Sequence, residues 1–132
     1  MNTRAIEVSA YQGLSAQINT IAFEGMIEPE ISQMVIDVYQ NKIPATFPID
    51  GQINFYLAYT TRHSDMVHNQ FKNELITDVQ LYSMFNPLRR NLSSDIGKLY
   101  WDTTIRVNTA YTDEFVSFVE EHMCSGIVNL AT

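Results

Sequence analysis

The chain has 132 residues, of which 45% are hydrophobic and 17% charged, and eight Lys and Arg against fifteen Asp and Glu give it a formal net charge of −7. That length predicts a single domain over residues 1–132, burying roughly 68% of its unfolded surface without a disulfide or metal staple. The charge disfavours nucleic-acid partners, one cysteine excludes an internal disulfide, and the longest apolar run, Phe55 to Tyr59, is far shorter than the ~20 residues of a membrane helix.

In "TRAIEVSAY" the apolar residues Ile6, Val8 and Ala10 alternate, which predicts a short strand with one face buried. From Tyr11 the spacing becomes helical through Leu14, Ile18, Ile21 and Ala22, and Gly25 is placed to end that helix. "EPEISQMVIDVYQNK" reads as a second helix. Pro29 suits its first turn, Glu28 and Glu30 complement the dipole, and Ile31, Met34, Val35 and Val38 form the apolar stripe. Pro44 imposes a break.

Asp50-Gly51 is a hairpin signal, and Ile53, Phe55, Leu57 and Tyr59 alternate with Asn54, Tyr56, Ala58 and Thr60. The preferred reading of 52–61 is therefore a strand with Phe55 and Tyr59 in the core. The rival is a helix with Ile53, Tyr56, Leu57 and Thr60 on one face. Ser64 is the expected cap of a long helix from about Asp65 to Phe85, stopped near Asn86-Pro87. Leu99, Trp101, Thr103, Ile105 and Val107 alternate with polar neighbours as in another half-buried strand. Thr112 caps a final helix, and "GIVNL" suits a last strand. The resulting order, β-α-α-β-β-α-β-α-β, predicts an α+β fold with about four helices on a small antiparallel or mixed sheet.

Three of the most reactive side chains crowd together in "TTRHSDMVHNQ", where His63, Asp65 and His68 lie within six positions. Ligands on one helix must be three or four residues apart to share an ion, a spacing only Asp65 and His68 meet. His68 falls on the apolar stripe of the expected helix, His63 in the loop before its cap. His122 and Cys124 point apart on a regular helix. Structural histidines and no metal or cofactor are the expectation. Cys124 follows a helix at the end where the dipole opposes a thiolate, so it is not read as a nucleophile.

Charge is unevenly distributed. Residues 1–50 hold two basic and six acidic side chains, residues 51–110 six and five, and residues 111–132 none and four. The central basic residues include Arg62 and the Arg89-Arg90 pair, the latter expected in a solvated loop. Tyr56 and Tyr100 fall on the strand faces turned from the core, and Glu120 and Glu121 form part of a terminal acidic face. Tyr and Met favour interface cores and Lys, present three times, is depleted there. These features predict a small, soluble, cytoplasmic and non-enzymatic interaction module or inhibitor. Such a chain would suit a virus or mobile element. Its partner would be another protein or a second copy in a homodimer, with Arg62, Arg89, Arg90, Tyr56, Tyr100, Glu120 and Glu121 as contact residues. The alternative is a small enzyme or ligand binder using His63, Asp65 and His68 with the Arg89/Arg90 loop.

Overall fold

The computed structural model describes residues 3–107 and 110–124, by backbone alone at 3, 17–27, 123 and 124. Among these residues the chain is all-helical, with seven α-helices and no strand, so the expected α+β fold is corrected to an α fold. The expected strand "GIVNL" lies outside the described residues.

Helix α1, Thr3–Ile27, runs through the segment read as strand and helix, and Gly25 lies inside it rather than beyond its end. Helix α2, Pro29–Tyr39, forms where Pro29 and the apolar stripe place it. It ends before Pro44 because Asn41 turns left-handed at φ 56°, letting Asn41 N–H reach the Val38 carbonyl (3.0 Å) and Lys42 N–H the Asp37 carbonyl (2.8 Å).

Helix α3, Gly51–Lys72, replaces the expected hairpin. The Asp50 carboxylate accepts hydrogen bonds from the Gln52 and Ile53 amides at 3.1 and 3.4 Å, so Asp50 is an N-cap and Gly51 the first helical residue. Ser64, expected as a cap, is buried in the helix interior. The long helix expected from Asp65 to Phe85 is instead broken after Lys72. Glu74 there takes φ 61°, with Leu75 N–H bonded to the Gln70 carbonyl at 2.9 Å.

Thr77 and Gln80 build a reciprocal capping box that restarts the chain as α4, Asp78–Met84. Asn86-Pro87 does not stop it for long: proline suits a first turn, and α5, Asn86–Leu92, begins there, so Arg89 and Arg90 are helical rather than in a loop. Helix α6, Asp95–Tyr100, is capped by Ser94 and continues as a π-helical turn, Trp101–Ile105, over the segment expected as a strand. Helix α7, Asp113–Val119, is capped by Thr112 as expected and ends in a π segment, Glu120–Cys124.

All seven helices feed one apolar cluster that includes Leu14, Val38, Leu57, Leu81, Phe85 and Phe115. Helix α3 is central, packing against α1, α4, α5 and α6. The approach of α5 to α6 requires Gly97, since a Cβ there would fall onto the Asn91 carbonyl. Among the described residues no helix is long and apolar enough to cross a membrane.

Candidate functional site

Helix α3 has two different faces. At ~100° per residue, the buried Ile53, Tyr56, Leu57, Thr60, Ser64 and Val67 lie on one side. Roughly opposite, Phe55, Tyr59, Arg62 and Met66 span only about 60° of the circumference. All four are exposed, Phe55 at 77%, Tyr59 at 41% and Met66 at 39%. Phe55 and Tyr59, expected in the core, are thus on the surface. Single exposed apolar residues are commonplace; here three of them fall in one row on a helix face.

Inside the fold, polar side chains are tied to one another. The Tyr39 hydroxyl lies 3.0 Å from that of Tyr56, which lies 3.0 Å from Asn91 Oδ1, and Asn91 Nδ2 donates to Thr60 Oγ1 at 2.9 Å. Thr60 in turn donates toward the Tyr56 and Leu57 carbonyls, both at 3.0 Å. This chain links α2, α3 and α5 through a buried asparagine that sequence reasoning did not single out. Burial, then the neighbouring Tyr39, pushes the Tyr56 phenol far up. At its end the Arg90 guanidinium sits 4.8 Å from the Tyr39 ring centroid.

His63 is buried in α3 and not in a loop; its Nε2–H donates to the Leu14 carbonyl of α1 at 3.0 Å. His68 packs instead on α7, with ring centroids 4.7 Å from Phe118 and 5.8 Å from Phe115. Phe118 also stacks on His122 at 4.4 Å. Burial lowers the pKa of both His63 and His68, opposed at His63 by the Leu14 bond and at His68 by Glu114 and Asp65. Asp65 is raised by burial, against the pull of His68, Arg62 and Lys72.

The candidate residues therefore separate. His63 and His68 project about 140° apart on one helix, toward α1 and α7 respectively, so His63, Asp65 and His68 do not converge. Arg89 donates to Asn86 Oδ1 at 3.0 Å, and Arg90 lies on α2. Tyr56 and Tyr100 are core residues, and burial pushes the Tyr100 phenol up to about 12. Glu120 accepts from Trp101 Nε1 at 3.0 Å and pairs with Arg106 Nε at 2.7 Å, clamping α7 to the π turn, while Glu121 is exposed. Of the expected contact residues, Arg62 is the one that stands in the α3 stripe. Among the described residues no three His, Cys, Asp or Glu side chains are grouped to hold a metal. Comparison with protein-family models, curated proteins and solved structures finds no match.

Proposed function

We propose that the protein is a non-enzymatic protein-binding module whose recognition surface is the outward face of α3. The observation that carries this reading is the row of Phe55, Tyr59 and Met66 around Arg62, opposite the face that builds the core. Aromatic residues, Met and Arg are the types enriched at interface centres. His63, His68 and Tyr56 support it in a second way, since each is engaged in packing or hydrogen bonds that join helices.

The test is site-specific photo-cross-linking. A photoreactive side chain at Phe55 should capture a protein partner, whereas the same group at Val79 of α4, equally exposed at 78%, should not. Equal capture at both positions, or none at Phe55, would refute the assignment.

A further inference from the structure

We infer that the seam between α3 and the start of α7 is a small-ligand site formed by Arg62, Asp65, Tyr100 and Tyr111, and that its ligand is a zwitterion of the α-amino acid class. The inference goes beyond the outward face of α3, with which it shares only Arg62. Arg62 and Asp65 lie three residues apart on α3 and project about 60° from one another. Tyr100 is the last residue of α6, and Tyr111 directly precedes the Thr112 cap of α7. The buried Phe115 ring gathers these elements, with centroids 5.6 Å from Tyr111, 6.3 Å from Trp101 and 5.8 Å from His68. Trp101 follows Tyr100, and His68 stands one turn beyond Asp65, so the polar groups share one aromatic floor. Their charges reach one another accordingly. Burial raises the pKa of Asp65, Tyr100 and Tyr111, and the Arg62 charge pulls each of them back, helped at Asp65 by His68 and Lys72.

Among the described residues, the side chains of these four make no hydrogen bond or ion pair, with one another or with any neighbour. The surrounding polar groups are satisfied: Lys72 pairs with Glu114 at 3.1 Å, and Glu120 with Arg106 at 2.7 Å. Tyr100 is buried, Asp65 and Tyr111 half-buried, and polar groups so placed are ordinarily paired. Four of them left open at one seam mark a place that a ligand completes. The donor set names its class. A cation and a carboxylate stand one helical turn apart without closing on each other, so the site offers both signs. A plain anion would be repelled by Asp65 and a plain cation by Arg62. A molecule that carries a carboxylate and an ammonium on one carbon satisfies both: the guanidinium grips the carboxylate, and the ammonium donates to Asp65. The two phenols supply hydroxyl donors and acceptors for the remaining lone pairs and N–H groups.

Titration of the isotopically labelled full chain with each of the twenty common amino acids, followed by NMR into the millimolar range, tests this. At least one should bind saturably and shift the resonances of Arg62, Asp65, Tyr100 and Tyr111. Its N-acetyl derivative lacks the ammonium and its amide lacks the carboxylate, so each should bind roughly tenfold more weakly or worse, since one buried charge is left unpaired. Asp65→Asn and Arg62→Gln should weaken binding by a similar factor, with helicity unchanged by circular dichroism. In Asp65→Asn the amino acid and its N-acetyl derivative should bind alike, an equality that a merely structural role for Asp65 would not produce. Failure of all twenty to bind, binding indifferent to both substitutions, or an N-acetyl derivative as tight as its parent in the unsubstituted chain would overturn the proposal. Inorganic phosphate binding as tightly as any amino acid would also overturn it, leaving a simple anion site at Arg62.

Discussion

Glu74 and Asn41 hold the same left-handed conformation at the ends of α3 and α2, at φ 61° and 56°, yet their substitutions should differ in sign. Glutamate is strained there by roughly 1 kcal/mol or more, and its side chain is exposed, so Glu74→Gly should raise stability to urea by about 1 kcal/mol. Asn41 tolerates the conformation better, and its side chain accepts from the Asp95 amide at 2.8 Å and donates to the Asp95 carboxylate at 3.3 Å. Asn41→Gly should therefore destabilise by about 1 kcal/mol, because the gain in backbone freedom does not replace the bonds that tie the end of α2 to the start of α6. Gly97→Ala should be worse than either, since α5 and α6 must separate to admit a methyl group beside the Asn91 carbonyl. Parallel urea titrations of the three variants check all of these signs.

For the helices, the cap at Asp50 decides where α3 begins. Asp50→Ala should cost about 1 kcal/mol in the same titration, whereas Ser64→Ala removes no cap, because Ser64 lies fourteen residues into the helix. Helix α2, the Thr112 cap and the packed position of His68 were legible in the sequence, since the apolar residues around them recur at helical spacing. Three other segments were misread as strands for a common physical reason. In each, an exposed apolar side chain completed an alternation that the core does not use: Val8 in α1, Phe55 and Tyr59 in α3, and Val107 after the π turn. The residues that hid the helix at 52–61 are thus the ones that form its outward stripe. Reading the helical rival there would have exposed the three- and four-residue spacing of Phe55, Tyr59, Arg62 and Met66. Gly97 and Asn91 gave no such signal, as their roles depend on contacts between helices distant from one another in sequence.

Across the whole molecule, two histidines that join α3 to its neighbours make stability depend on pH. The ordinary histidine pKa is 6.5, and burial holds both His63 and His68 below it in the fold. As pH falls below 6.5 the unfolded chain gains protons that the folded chain refuses, so stability is full above that value and declines through the window down to the lowered folded pKa values. Asp65, raised above its ordinary 3.8, acts in the opposite sense at lower pH and limits the decline. Thermal melts should therefore lose midpoint temperature below pH 6.5, and His63→Gln or His68→Gln should flatten that loss; an unchanged slope in both would exclude the two rings as its source.

The central claim, that the outward face of α3 recognises a protein partner, is tested most directly by scanning a photoreactive side chain along that helix. Placed in turn at Phe55, Tyr59, Arg62 and Met66 it should capture a protein partner, while the same group at Val79 and Tyr82 of α4 should not. Capture centred on α4, capture at alternate residues along 52–61 as a strand would give, or none at any position would contradict it.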